Sequence, residues 1–397
     1  MNEKNLKMIL KKEDLSILIA RIDHVGDTLL YTPALSALRM KYPDANITVL
    51  SSPLTHEVLR GNTDIDEIIC YNEASGEFYD NIRSRKFDVI LNFSAAVKDF
   101  IEAYKYGGRF RIAPLYKNML VSQVVGRILL HRAIICEDDP GAYMNNPDST
   151  TLLHEVEQNG KVVSHLYADP VDTSLVLPVF PEDESFADDF IHNKIKIPGD
   201  GKIIALQISD RWFYEGYREE GQANLIRELN SKFPDCTILC LSYPGVESIA
   251  NKVMKSIAEC FNCKIDEKKE EIKITGSDKT ALFSFTSISA SSNLKICFAS
   301  NIPMKKYTSI LKRCEMLVTM HSGATHISAA AGLPSVVVFN HDYFEYFSYR
   351  ERPWKVEFRA VKKKHNDNDF HELQDKGKKR SVEGNIEDII NACKVLL

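Results

Sequence analysis

Several features that would assign this chain to a class of protein are missing from its sequence. No apolar run in the 397 residues approaches the roughly 18–20 residues that a membrane-spanning helix needs, and the first residues lack the apolar core of a secretory signal. Basic residues are not in excess, because 50 Lys and Arg against 55 Asp and Glu give a net charge of −5. We therefore expect a cytoplasmic globular protein that does not bind nucleic acid.

The common phosphate-binding and metal-binding fingerprints are also absent or weak. There is no Walker A motif and no G-x-G-x-x-G. The nine cysteines are scattered, which is typical of reduced thiols. Cys260 and Cys263 form a C-x-x-C downstream of Cys236 and Cys240, a spacing that faintly resembles a zinc site. Because 236–241 reads largely as one buried strand, we predict core cysteines and no metal.

Strand-like and helix-like runs alternate along the chain in two successive cycles. The first has a strand at 16–22, a helix at 28–41 that ends before Pro43, and a strand at 46–50, which together predict a parallel β-α-β unit. The second begins with a strand at 202–208, after a turn cluster. We therefore predict an α/β fold of two Rossmann-like doubly wound domains. Helix and strand templates fit 127–136 equally well.

We place the predicted domains at 1–190, 191–350 and 351–397, the last being a polar loop and a C-terminal docking helix. Within it, 362–381 is rich in charge. A solvated loop is the favoured interpretation, and a basic contact for an anionic acceptor or a membrane surface is the alternative.

Two strand ends carry the candidate chemistry. The first predicted strand is followed by Asp-His-Val-Gly-Asp at 23–27, and Asp27 is equally well interpreted as a helix N-cap or as a proton acceptor. The strand at 316–320 is followed by a small-residue turn and a helix. A helix start offers free N–H groups to an anion, and Ser322 and Thr325 add hydroxyl donors. The alternative there is a capped turn with His326 in the core.

Together these motifs resemble glycosyltransferase family 9, the heptosyltransferase-like enzymes. In 17–50 the family's opening pattern is matched by Arg21, Gly26, Asp27, Thr32 and Pro33. In 317–339 the second signature is matched by a Ser-Gly, a His three residues later and a Gly-x-Pro. Weaker similarities at 108–112 and 154–157 extend the resemblance over most of the chain.

The resemblance implies a GT-B architecture, with two Rossmann-like domains facing across a cleft. The N-terminal domain would bind a glycan or glycolipid acceptor and the C-terminal domain a nucleotide sugar. It implies inverting transfer, typically of heptose from ADP-heptose to the lipopolysaccharide core, with Asp27 as base, no metal and no cofactor beyond the co-substrate. It also suggests a peripheral contact with the inner membrane leaflet. The implied donor-binding residues are His321, Ser322, Gly323, Ala324, Thr325, His326 and Arg211, and the implied acceptor-binding residues are Gly26, Arg109 and Arg111.

The chain departs from the family in ways that bear on function. His321 stands where the family has an acidic residue that contacts the donor, and 264–302 matches no family motif. Two alternatives stay open: a degenerate GT-B protein that binds a nucleotide sugar or a partner without transfer, and a GT-B sugar-nucleotide epimerase. The intact pattern from Arg21 to Asp27 favours transfer over mere binding, because a binder has no use for a base.

Overall fold

The computed structural model of the chain describes residues 3–22, 24–71, 75–116, 119–136, 152–170, 173–197, 199, 201–214, 217, 219–245, 247–261, 265, 267–273, 280–288, 295–340, 343–363 and 383–397. Contacts divide the chain into two compact units. The N-terminal unit comprises Met1–Pro178 and Glu345–Trp354, and the C-terminal unit comprises Val179–Phe344 and Lys355–Leu397. Among the described helices, none has the length and apolar character to span a membrane.

The N-terminal unit is built on a parallel sheet. Its described strands are β1 (Ser16–Ile19), β2 (Asn46–Ser51), β3 (Glu67–Cys70), β4 (Val89–Leu91), β5 (Phe110–Tyr116) and β6 (Arg132–Cys136). They pair in the order β3-β2-β1-β4-β5-β6, which is the Rossmann order. The order reverses between β1 and β4, and open α/β sheets bind ligands beyond the carboxyl ends of the strands at such a switch point.

The helices of this unit cover the sheet. They are α1 (Glu3–Ile9), α2 (Val25–Leu30), α3 (Thr32–Lys41), α4 (Pro53–Leu59), α5 (Gly76–Ser84), α6 (Val97–Lys105), α7 (Leu120–Leu129) and α8 (Glu155–Ser164). The ambiguous stretch 127–136 contains both structures, because α7 ends at Leu129 and β6 follows.

The helix predicted at 28–41 is in fact two helices, α2 and α3, separated at Tyr31. Pro33 has no N–H with which to bond the Leu29 carbonyl. The Thr32 hydroxyl bonds that carbonyl instead, at 2.7 Å, and accepts the Val176 N–H at 2.9 Å. The Thr-Pro pair of the sequence motif therefore lies at the junction where α2 ends and α3 begins.

Six parallel strands of the C-terminal unit repeat the same strand order, and two antiparallel strands extend the sheet. Its described strands are β7 (Lys202–Gln207), β8 (Cys236–Leu241), β9 (Lys268–Lys273), β10 (Thr280–Ile288), β11 (Ile296–Ser300), β12 (Met316–Met320), β13 (Ser335–Phe339) and β14 (Phe358–Lys362). The sheet order is β14-β13-β12-β7-β8-β11-β10-β9. From β14 to β11 the strands are parallel, with the switch point between β7 and β12. The antiparallel pair β9 and β10 lies within 264–302, the stretch that matches no family motif.

The helical segments of this half of the chain follow the strands. They are α9 (Pro181–Asp189), a π-helix (Phe190–Lys194), α10 (Asp210–Tyr214), α11 (Glu219–Lys232), α12 (Glu247–Cys260), α13 (Met304–Leu311), α14 (Gly323–Ala330), α15 (Phe344–Arg350) and α16 (Glu383–Leu396). The side chains of Ile389 and Cys393 on α16 are buried in the core of the C-terminal unit. Most of the charge-rich segment, 364–382, lies outside the described residues.

The units divide at different places from the predicted boundaries at 190 and 350. The first boundary falls after Pro178 because α9 belongs to the C-terminal unit, where Asp183 forms a buried ion pair with Lys306 at 3.0 Å. The segment Glu345–Trp354 returns to the N-terminal unit, where the Trp354 indole donates to the Thr173 carbonyl at 2.9 Å. Neither contact leaves a local sequence pattern.

We expect Thr32→Val to lower the free energy of unfolding by about 1–3 kcal/mol, because it leaves the Val176 backbone N–H unbonded and removes one of the two donors to the Leu29 carbonyl, which also accepts the Tyr31 N–H. Thr28→Val is the matched control. Its hydroxyl is buried and finds no hydrogen-bond acceptor or donor within the described residues, so the substitution should be neutral or slightly stabilising. Urea unfolding of both variants measures the difference, and equal losses would contradict this role for Thr32.

Candidate functional site

Asp27 lies in the first turn of α2, just beyond the carboxyl end of β1. Its side chain is 36% exposed, and one carboxylate oxygen, Oδ1, accepts from the Arg21 guanidinium at 2.9 Å. The same guanidinium donates to the Phe93 carbonyl after β4 at 3.1 Å, so Arg21 spans the switch point. Gly26 is buried in the same turn. The structure therefore presents an oriented, accessible carboxylate where this fold binds ligands.

Arg21 itself is buried, and a buried charge requires compensation. Glu155, at the start of α8, lies 3.7 Å from Arg21 and receives a 2.6 Å ion pair from Arg350 on α15. Burial by itself would lower the pKa of Arg350, but the carboxylate of Glu155 leads the groups that raise it above its usual range. Asp27, Arg21, Glu155 and Arg350 thus form a line of alternating charges, here named the charge chain.

Tyr116 at the end of β5 also borders the charge chain. Burial raises the pKa of Tyr116 to about 12. The nearby Arg350 guanidinium acts to lower this pKa, and the Glu155 carboxylate acts to raise it. Tyr116 is therefore a neutral hydroxyl at neutral pH. Tyr116 and Arg350 belong to none of the sequence motifs. The weak family similarity at 154–157 was the available signal for Glu155.

His154 caps α8 next to Glu155. Its Nδ1 accepts the Val156 N–H at 3.1 Å, so Nε2 carries the proton and donates to the Arg352 carbonyl at 2.9 Å. Its ring packs on Trp354 with centroids 4.5 Å apart. Burial lowers the pKa of His154 to about 4. His154 thus holds the segment Glu345–Trp354, which carries Arg350, in its place.

The structure does not bring Arg109 and Arg111 together with Asp27. Arg109 precedes β5 and lies 3.6 Å from Asp88, which precedes β4, so it sits at the amino ends of parallel strands. Asp27 follows a carboxyl end and is therefore at the opposite edge of the sheet. The Arg111 guanidinium donates to the Leu129 carbonyl at 2.8 Å, and burial lowers its pKa. Their positions do not support the acceptor role that the resemblance implied.

The second motif begins where β12 ends. The His321 N–H still donates to the Val338 carbonyl of β13 at 2.9 Å, and its ring stacks on Phe339 at 4.9 Å. The Ser322 N–H then donates to the Thr325 hydroxyl at 3.3 Å as α14 begins at Gly323.

Accessibility divides the predicted donor residues into two groups. His321, Ser322 and Gly323 are half-buried and reachable, whereas Ala324, Thr325 and His326 are buried in the packing of α14. The accessible part of the motif is thus its first three residues, at the helix start.

Arg211 lies at the same edge of the C-terminal sheet. It is exposed on α10, which follows β7, the direct neighbour of β12 in the sheet. The next residue anchors the helix, because the Trp212 indole donates to the Gln207 carbonyl at 2.7 Å and is fully buried. A cation and a helix start therefore flank the switch point of this unit.

The cysteines do not form the weakly suggested zinc site among the described residues. Cys236 and Cys240 are buried in β8, and burial raises the pKa of both thiols, which disfavours the thiolate that zinc requires. Cys260 is exposed at the end of α12. Cys263 lies outside the described residues.

Comparisons with known proteins agree with this architecture. No family profile matches the sequence, and no curated protein is significantly similar to it. Among solved structures, the chain is similar to a glycosyl transferase of family 9 from Veillonella parvula, with 17% identity and a TM-score of 0.68 over 96% of this chain and 97% of that one.

It is also similar to the ADP-heptose LPS heptosyltransferase II of E. coli, with 12% identity and a TM-score of 0.62 over 96% and 98% of the two chains. For the E. coli heptosyltransferase WaaC with ADP, the identity is 12% and the TM-score is 0.57, over 91% of this chain and 99% of that one. At these identities the likeness establishes the fold. The chain has the fold of glycosyltransferase family 9, which confirms the predicted resemblance and fold class.

The capping role of His154 predicts a specific pH dependence of stability. Its pKa is about 4 in the folded chain, against an ordinary value of 6.5, so an unfolded chain binds the proton first as the pH falls. The stabilising contribution is therefore complete above pH 6.5 and is lost towards pH 4, by up to about 3 kcal/mol. His154→Asn keeps a capping side chain that does not titrate. Unfolding curves between about pH 7 and 4 should fall less steeply for this variant, and parallel curves would contradict the assignment.

Proposed function

We propose that this chain is an inverting glycosyltransferase that moves a sugar from a nucleotide donor to a hydroxyl group of a glycan or glycolipid. The observation that carries the proposal is the accessible Asp27 carboxylate, held by Arg21 at the switch point of the N-terminal sheet. Two of the similar solved structures are named as heptosyltransferases, one of them for ADP-heptose and lipopolysaccharide. We therefore propose ADP-heptose as donor, the lipopolysaccharide core as acceptor and the cytoplasm as location.

In the proposed reaction, the acceptor hydroxyl attacks the anomeric carbon from the face opposite the diphosphate. The bond from the anomeric carbon to the diphosphate breaks as the new glycosidic bond forms, and the hydroxyl proton passes to Asp27. Arg21 fixes the direction of the carboxylate, which saves the entropy of orienting it during the reaction.

The leaving diphosphate gains negative charge as this bond breaks. We assign its binding to the backbone N–H groups at the start of α14 and to the Arg211 guanidinium. Fixed dipoles and cations of this kind stabilise a developing anion without reorganisation, and no further cofactor enters the proposed step.

The Arg21 guanidinium lies directly beside the carboxylate that we propose as the base. A guanidinium beside a carboxylate favours its ionised form and makes it a weaker proton acceptor. The Arg21 guanidinium also lies 3.7 Å from Glu155, so it serves two carboxylates. The arrangement fits a hydroxyl group that loses its proton only as the glycosidic bond forms, because a strong base is then unnecessary.

A second candidate is a protein that binds a nucleotide sugar without transferring it, and His321 favours that interpretation. An imidazole cannot accept hydrogen bonds from sugar hydroxyls with two oxygens as a carboxylate does. Thermal unfolding with ADP, UDP, GDP and their sugars separates the possibilities for the donor, since a ligand at ~100 times its Kd stabilises by about 2.7 kcal/mol. Release of nucleotide without acceptor dependence would contradict transfer.

We expect Asp27→Asn to fold normally, to bind nucleotide like the unmodified chain and to lose about two to four decades in turnover. The amide keeps the size and capping ability of the carboxylate but cannot take the proton. Asp66→Asn is the matched control, because Asp66 is also paired with an arginine, Arg39, and is 44% exposed. Steady-state kinetics measures the difference. Full activity of Asp27→Asn would reduce Asp27 to a structural residue.

We expect Gly323→Val to weaken nucleotide binding by more than about tenfold, because the added side chain obstructs the N–H groups at the start of α14. Gly76→Val is the control, since Gly76 also follows a serine N-cap as the first residue of a helix and a Cβ there meets nothing within 4 Å. Calorimetric titration with ADP and melting temperatures of both variants provide the test. Unchanged affinity in a folded Gly323→Val would remove α14 from the donor site.

A further inference from the structure

A small cavity lies beside the charge chain in the N-terminal unit. It has a volume of about 170 Å³, and its walls include Pro33 and Ala34 of α3, Glu157 and Gly160 of α8, and Pro170 and Trp354. Glu157 and Pro170 are exposed and Trp354 is half-buried, so solvent reaches the cavity. A cavity of about 150 Å³ accommodates a six-membered ring, and this cavity is therefore large enough for one.

The elements that carry the charge chain also carry the cavity. Glu157 follows Glu155 by two residues in the first turn of α8, and Trp354 follows Arg350 by four residues in the segment Glu345–Trp354. On the third side, residue 33 follows residue 27 by six positions. Because the residues between them are mostly helical, the two lie roughly 10 Å apart along the chain. The cavity is thus next to the carboxylate that we propose as the base.

The cavity combines flat apolar surfaces with one carboxylate. The Trp354 indole donates to the Thr173 carbonyl at 2.9 Å and packs on the ring of His154, which holds it in place. One oxygen of Glu157, Oε2, accepts the His154 N–H at 2.8 Å, and no donor to Oε1 is found among the described residues. A well-matched ligand therefore offers an apolar ring face to the indole and prolines and hydroxyl donors to the carboxylate.

We propose that this cavity binds one neutral pyranose ring of the acceptor glycan, beside the sugar whose hydroxyl reacts at Asp27. A pyranose has both required features, because its axial C–H groups form an apolar face and its edge carries hydroxyl groups. An acidic sugar is disfavoured, since its carboxylate would meet the like charge of Glu157. This assignment rests on the proposed function in naming the sugar as part of the acceptor.

An organic cation fits the cavity less well than a sugar. Aromatic cages surround a quaternary ammonium with several ring faces, whereas Trp354 is the single aromatic residue among those that line this cavity. A cation without hydroxyl groups would also leave the Glu157 oxygen without a hydrogen-bond donor.

The two tryptophans of the chain make the cavity directly observable. Trp212 is fully buried, so acrylamide quenches chiefly the fluorescence of the half-buried Trp354. The probes are the methyl glycosides of glucose, galactose and mannose, titrated into the unmodified chain. We expect at least one to protect Trp354 with a Kd of about 1–10 mM, as a ligand of this size implies. No protection by any of the three would overturn the proposal, as would protection by choline alone.

Two variants test the walls of the cavity. Ala34→Leu fills it from α3 and should lower the affinity for the pyranoside at least about tenfold. Met40→Leu is the matched control, because Met40 is on the same helix, is 71% exposed and does not line the cavity.

Glu157→Gln guards against misfolding of Ala34→Leu. Its amide oxygen can still accept the His154 N–H, so the start of α8 stays capped. We expect about threefold weaker binding or more, because a neutral oxygen accepts hydrogen bonds from hydroxyl groups less strongly than a carboxylate. Unchanged affinity in both folded variants would overturn the proposal.

Transfer assays separate this assignment from the proposed function. With a lipopolysaccharide-core oligosaccharide as acceptor, Ala34→Leu should raise the acceptor KM more than it lowers kcat, since the cavity contributes to binding and not to the chemical step. An unchanged acceptor KM in a variant that no longer binds the pyranoside would overturn the assignment to the acceptor. Protection of Trp354 by a pyranoside in a chain that transfers no sugar would contradict the proposed function alone.

Discussion

A buried arginine cannot remain without compensating charge, and this constraint organises the N-terminal unit. Arg21 lies under the carboxyl ends of β1 and β4, out of water. Asp27 and Glu155 compensate it from two sides, and Arg350 compensates Glu155 in turn. If one member were removed, its partner would be a buried charge without compensation and would carry the full free-energy cost of desolvation. In the complete charge chain, each buried charge has a neighbour of opposite sign. The exposed end of this set is the carboxylate of Asp27.

The same constraint explains why the segment Glu345–Trp354 belongs to the N-terminal unit. Arg350 reaches Glu155, and His154 and Trp354 fasten the rest of the segment beside α8. A segment that lies between β13 and β14 of the C-terminal sheet thus completes the charge chain of the N-terminal unit. In both units the site motifs follow strands at the switch point, because only there do adjacent loops diverge and leave space for a ligand.

Helix α7 meets two demands that usually conflict. Close packing on β5 requires small residues such as Gly126, and Val125 and Leu129 also pack against the core, while four other large apolar residues of the helix are turned to the outside. Periodicity arguments assume that apolar residues point to the core, and for the outer residues of α7 this assumption fails. The stretch 127–136 fits helix and strand equally well because α7 ends within it and β6 follows. Arg111 also has a structural role that the sequence does not reveal, because its guanidinium donates to the Leu129 carbonyl at the end of α7.

The sequence by itself determined the two Rossmann-like units, most strand and helix positions, and Asp27 and Ser322 at strand ends. These features follow from local periodicity, turn residues and short motifs, which neighbouring residues encode together. Only the tertiary structure decided that Glu155 and Arg350 complete the charge chain and that Arg109 lies at the opposite edge from Asp27. Such facts depend on strand order and direction and on ion pairs between distant segments, and neither leaves a local pattern.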